Sequence, residues 1–261
     1  MATSSSTAEA VPLSEGARLA DIFIAPSKTF ADLRRSAAWW GPFVVMTVVS
    51  LLFVSMVDSK IGFRKVAENQ IQLSPKNADR IEKMPPADRD RALEQQTKVT
   101  QYISYGYFGI ILIWNALIAG ILFATFKFGF SADSNFKRSF AIVMYASLPL
   151  IIKTLLAVIA VIAGVNTDSF TFQNPVATNP GYFLNPLENR IFYSVGTALD
   201  IFMIWTLVIT AIGFATTDKI KRSTAMAVVF GGTLFLSWAA RPWAPLSLKP
   251  NNIWRPHVTY S

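Results

Sequence analysis

The chain has 261 residues, 52% of them hydrophobic and 15% charged, with a mean hydropathy of +0.38 and a formal net charge of +8. Soluble domains carry about a quarter charged residues, so this composition points to a membrane protein whose basic excess flanks spans and faces anionic lipid, not nucleic acid. The absence of cysteine and the single histidine, His257, exclude disulfides, thiolate catalysis and multi-histidine metal sites, and no cofactor is expected.

Residues 1–18 are rich in Ser, Ala and Glu and read as a disordered tail; without a cationic start and an apolar core they are no secretory signal. From Leu19, apolar Ile22, Phe23, Ile24, Phe30 and Leu33 alternate with Arg18, Asp21, Lys28, Asp32, Arg34 and Arg35. This basic amphipathic stretch is too polar to span, and is expected to lie on the membrane interface. Phe23, Phe30, Trp39 and Trp40 are its expected anchors, and Ser27 the expected cap of a short helix after Pro26. A cap packed on the bundle is the alternative reading.

Five apolar segments follow, at about 41–57, 103–126, 140–164, 191–215 and 223–240, each judged against the roughly 20 residues that cross a bilayer. They define an all-α, five-span membrane domain over 19–240, followed by a C-terminal tail, 241–261. The connection 58–102 is charged and extramembrane. Ser74-Pro75 and Pro85-Pro86 start two helices in it, the second running without a breaker into the next span. The connection Val165 to Arg190 carries four Pro or Gly residues (Pro175, Pro180, Gly181, Pro186) and reads as an ordered, turn-rich loop.

Lys and Arg concentrate in the N-terminal flank, in the loop holding Lys127, Lys137 and Arg138, and in the loop holding Lys219, Lys221 and Arg222. In a five-span bundle these share one side, which puts the N-terminus in the cytoplasm and the C-terminus outside. Against this stand nine basic residues in the first loop, diluted by seven acidic ones.

Two charged residues fall inside expected spans, Lys153 and Asp200, and such residues are functional hypotheses by default. Counted from the loop joining the two spans, both lie about 15 Å deep at the helical rise of about 1.5 Å per residue, so an ion pair is the leading reading. Ion or proton movement, or contact with a headgroup or partner, are the alternatives. Pro149, with Tyr145 before it, predicts a kink close to Lys153. Ala116, Gly120 and Ala124 form a small-residue face that serves either helix packing within the chain or a homo-oligomer. No pair of facing carboxylates, no base at membrane depth and no phosphate-binding loop is present, so an enzyme is not expected.

The stretch Ile22 to Phe30, the lead-in Trp39-Trp40-Gly41-Pro42, the run from Phe136-Lys137-Arg138 to Tyr145-Ala146-Ser147-Leu148-Pro149, and Leu199-Asp200-Ile201-Phe202 with Trp205 and Ile212-Gly213 together resemble bacterial members of the Yip1 family, over roughly Leu19 to Ala240. The resemblance implies a five-helix bundle with a cytoplasmic N-terminus and the C-terminus on the other side, in a bacterial cytoplasmic (inner) membrane. Eukaryotic relatives are adaptors in vesicle traffic that contact prenylated small GTPases. Their Asp-Leu-Tyr-Gly-Pro signature reads Ala38-Trp39-Trp40-Gly41-Pro42 here; without the acidic residue it gives no support to a GTPase partner. The expectation is therefore a non-enzymatic membrane adaptor that contacts anionic lipid and a membrane or peripheral protein partner. A small transporter, channel-like or lipid-handling protein using Lys153 and Asp200 is the alternative.

Overall fold

The structure, a computed structural model, describes residues 12–188 and 190–239, and among them every regular element is helical. Residues 1–11 of the expected tail, and the tail 241–261, lie outside the described residues. The remainder of the first tail is shorter than expected. Ser14 caps α1 (Glu15–Ile24) by accepting from the Ala17 N–H at 3.2 Å, and Glu15 sits in the first turn, where the helix dipole favours an acid. In α2 (Pro26–Leu33) the cap position belongs to Ala25 and not to Ser27, because Pro26 suits the first helical position, where its missing N–H is not needed.

Among the described residues, three helices are long and apolar enough to cross a membrane. They are α3 (Trp40–Lys60), the run Tyr107–Gly129 and the run Phe136–Ala163. The second is α7 (Tyr107–Ala124) prolonged by a wider π turn over Thr125–Gly129. The third joins α8 (Phe136–Ala146) to α9 (Pro149–Ala163) across Ser147 and Leu148, with Pro149 opening α9. The segment expected as one fourth span is broken instead into α10 (Arg190–Ala198) and α11 (Ile201–Thr217), bent by 51°. Counted as one span, the pair raises the number to four. The expected fifth, α12 (Arg222–Ala239), is not among these helices, since Arg222, Ser223, Thr224, Gly231, Gly232 and Thr233 dilute its apolar residues.

Between α3 and α7 the chain makes α4 (Phe63–Gln72), α5 (Pro75–Glu82) and α6 (Pro86–Tyr105). The two proline-led helices match the sequence reading; α4 was not foreseen, and Gly106 interrupts the expected continuous rod into the second span. Gly62, at φ +83°, supplies the left-handed turn from α3 into α4.

The core gathers Ile22, Phe30 and Leu33 of the α1–α2 hairpin with Met46, most of α8, and Ile209, Ala211 and Phe214 of α11. The hairpin is thus a cap on the bundle, and Phe30 is no interfacial anchor: it is wholly buried. Its ring lies against Gly213, where an added Cβ would stand 3.1 Å from it and 2.4 Å from Ile142 Cγ2. The amphipathic hairpin turns its apolar face to protein instead of lipid. Phe23 packs edge-on to Trp205 at 5.9 Å and Trp39 on Phe140 at 5.2 Å, while Trp40, 56% exposed, faces outward.

A second cluster, Val57, Val66, Val161 and Phe170, closes the far end of α3 and α9. Lys153 lies ten residues, about 15 Å at the helical rise, before α9 ends at Ala163, and so about half-way across the roughly 30 Å of a bilayer's hydrocarbon.

Candidate functional site

The helix break at Leu199-Asp200 builds a polar centre at that depth. Asp200 is the N-cap of α11, and its Oδ1 accepts from the backbone N–H groups of Phe202 at 3.0 Å and Met203 at 3.3 Å. Its Oδ2 accepts from Lys153 Nζ at 2.7 Å, the Thr178 hydroxyl at 2.5 Å and Asn179 Nδ2 at 3.3 Å. The structure thus brings Lys153 and Asp200 together. It adds Thr178 and Asn179, which the sequence reading did not single out.

Those two residues come from the loop between α9 and α10, which folds into the bundle. Asn174 and Asn179 exchange side-chain amide hydrogen bonds at 2.8 and 3.4 Å, and the Thr178 carbonyl accepts from the Ile201 N–H at 3.3 Å. Non-helical backbone is tolerated at membrane depth only where protein or trapped water satisfies it, and here the loop and the broken helix satisfy each other. Their approach is very close. A Cβ at Gly196 would lie 2.7 Å from the Gly181 backbone nitrogen, and one at Gly181 would lie 2.5 Å from that of Thr197. With five donors on one carboxylate, Asp200 is a clasp that joins α9, the loop and α11.

A second network ties the hairpin to the bundle. Buried Arg18 meets Asp32 through Nε at 2.7 Å and Nη2 at 2.6 Å, and Glu15 at 3.4 Å. Glu15 in turn accepts a hydrogen bond from the Tyr145 hydroxyl and fills the space beside Gly41, at the start of α3. Burial works against the Arg18 charge, but the hydrogen bond and charge of Asp32 hold its pKa above the ordinary value. Tyr145, expected beside a kink, is wholly buried, and the helix interruption lies two residues further on. Nearby, at the end of α11, burial raises the pKa of Asp218, although the Thr217 and Ser134 hydroxyls and the Arg138 charge pull it down.

The small-residue face of α7 divides. Ala116 packs on the core and Gly120 faces Phe136, whereas Ala124 is exposed. Asn115 is buried and donates to Met144 Sδ at 3.3 Å. At the far end Asn69 of α4 donates to the carbonyls of Thr167 at 2.7 Å and Phe170 at 2.9 Å, and Lys65 pairs with Asp168 at 2.5 Å. The α4–α6 block is thereby fastened to the loop. No group of His, Cys, Asp and Glu that could hold a metal occurs among the described residues.

Two signals in the sequence point to this centre: Asp200 directly before the apolar run from Ile201, which is a helix-start pattern, and Asn179-Pro180-Gly181, which is a turn. That the turn would reach Asp200 is a long-range fact that neither carries. A family model described as Yip1 domain matches residues 20–240. No curated protein and no solved structure matches the chain.

Proposed function

The chain belongs to the Yip1 family of integral membrane proteins, which are generally not enzymes, and from that premise we propose that it is a membrane adaptor. In this reading the chain crosses a bacterial cytoplasmic membrane five times, with α12 as the last crossing. The N-terminus is cytoplasmic, and the basic N-terminal face meets anionic headgroups. The α4–α6 block on the other side presents the partner surface.

The observation that carries the proposal is that block. None of the side chains of α5 is buried, and of the twenty in α6 only Thr100 and Ser104 are. Two charged helices are thus held out from the membrane domain by α4, whose Val66, Ala67 and Asn69 are buried. Such a rigid polar platform serves recognition, since it adds little to the core. Capture of the tagged chain from native membranes, followed by mass spectrometry, should yield a stoichiometric protein partner. Arg80→Glu with Arg91→Glu should lose it while the membrane domain stays folded. A bare chain in both captures would overturn the adaptor.

A second reading, transport, is favoured by the broken helix with an ion pair half-way through the span, a build found in transporters. Against it, the Asp200 carboxylate already accepts from five donors, so a substrate ion would have to displace protein groups. Flux in proteoliposomes abolished by Asp200→Asn, in a variant that still folds, would decide for transport.

A further inference from the structure

The face that carries α1 and α2 is knit together by contacts among its basic segments. Arg222 Nη2 donates to the Ser27 hydroxyl at 3.3 Å, Arg138 reaches Asp218 at 3.9 Å, and Lys127 donates to the Ser134 carbonyl at 3.3 Å. On this face, between the turn that ends α7 and the first two turns of α12, runs an open groove of about 460 Å³ lined by Phe130, Ser223, Thr224, Ala227 and Val228. It is a shallow hollow, largely open on one side, so an occupant lies along it with its other side facing outward.

The lining is sorted along its length. Ser223 and Ala227, and likewise Thr224 and Val228, are four residues apart and so stack on one face of α12. The groove therefore passes from two hydroxyls to two apolar side chains in one helical turn, with the half-exposed ring of Phe130 opposite. Lys219, Lys221 and Arg222 immediately precede the hydroxyl end, all exposed, and Lys127 lies in the turn before Phe130. One end is thus cationic and hydrogen-bonding, and the other greasy. Both lie where α7 leaves, and α12 enters, the apolar part of the bundle.

We infer that this groove binds one anionic phospholipid, its phosphate at Ser223, Thr224 and the cations, and the start of an acyl chain over Phe130, Ala227 and Val228. The occupant follows from charge complementarity: a zwitterionic lipid offers no net charge to the cations, and a soluble anion leaves the apolar half uncovered. The inference rests on the anionic-lipid part of the proposed function and moves its site from the N-terminal hairpin to α12.

The test is native mass spectrometry of the full chain in detergent with added phosphatidylglycerol or phosphatidylcholine. The wild type should retain phosphatidylglycerol in preference. Lys219→Gln with Lys221→Gln should weaken that retention by about fivefold for each cation removed. Ala227→Trp, which fills the apolar end, should abolish the preference. Ser223→Glu, at an exposed position that tolerates the change, should do the same and decides the matter if the tryptophan variant does not fold.

Equal retention of the two lipids by the wild type would overturn the groove together with the anionic-lipid reading. A preference that survives Ala227→Trp and Ser223→Glu but is lost on Lys28→Gln with Arg34→Gln would overturn the groove alone. So would a dimer mass that Ala227→Trp removes, since a second copy would then be the occupant.

Discussion

Asp200 does two things at once, pairing with Lys153 and capping α11, and this separates the substitutions that can rescue one another. Lys153→Met leaves a buried carboxylate without its ammonium, and Asp200→Asn leaves the ammonium without its carboxylate; each should cost about 3 kcal/mol, the lower end for a broken buried pair. The double variant Lys153→Met with Asp200→Asn should recover most of that loss, because asparagine still accepts from the Phe202 and Met203 N–H groups. A charge swap would not rescue, since lysine at position 200 cannot cap a helix. Denaturation of the four proteins in mixed micelles measures it, and additive losses would refute the pairing. Asp218 gives a pH signature. Burial raises its folded pKa above the ordinary carboxylate value, so the folded state favours the protonated acid. Its effect is absent below that ordinary value, about 3.9, and the protein loses stability as pH climbs from there through the raised pKa. Asp218→Asn should melt higher than the wild type at pH 7.5, with a smaller difference at pH 4. Parallel curves would remove Asp218 as the cause.

At the level of elements, the loop 165–188 and the α10–α11 break form one unit, and the glycine contact is its tightest point. Gly181→Ala or Gly196→Ala would drive a methyl into backbone atoms at 2.5–2.9 Å, at a cost of about 1–3 kcal/mol for overpacking. Hydrogen exchange should rise in 174–198 and stay unchanged in α3 and α8; a uniform rise would mean that the unit is not separate. The sequence makes some of these elements legible. Pro75 and Pro86 mark two helix starts, and the apolar runs fix α3, α7 and α8–α9 within a few residues, because those signals are local. What is not legible is set by distant partners. The apolar face of α2 reads equally well as lipid-facing, and only its position against Ile142 and Gly213 decides for the core. α4 is short and polar, and its anchors are carbonyls about 100 residues away, at Thr167 and Phe170. The pairing of Lys153 with Asp200 was legible from depth, but Thr178 and Asn179 were not, since nothing in their own surroundings brings a loop to mid-span.

For the whole molecule, the crossing of α12 fixes on which side the C-terminus lies. The chain has no cysteine, so single cysteines report directly through impermeant labelling of intact cells. Ser36→Cys, exposed on the face of α1 and α2, should be protected and Ser169→Cys, exposed on the opposite face, should react. Ser261→Cys should react together with Ser169→Cys if α12 is a fifth span; protection there would reduce the count to four and bring both termini to one side. The capped bundle also has a history in time. Phe30 leaves the ribosome about 180 residues before Gly213, the residue it packs on, a delay of about 10–40 s at ordinary elongation rates. Throughout that interval the α1–α2 hairpin has no finished bundle to dock on. The apolar faces of α1 and α2 therefore stay uncovered until α11, on which they pack, has been made.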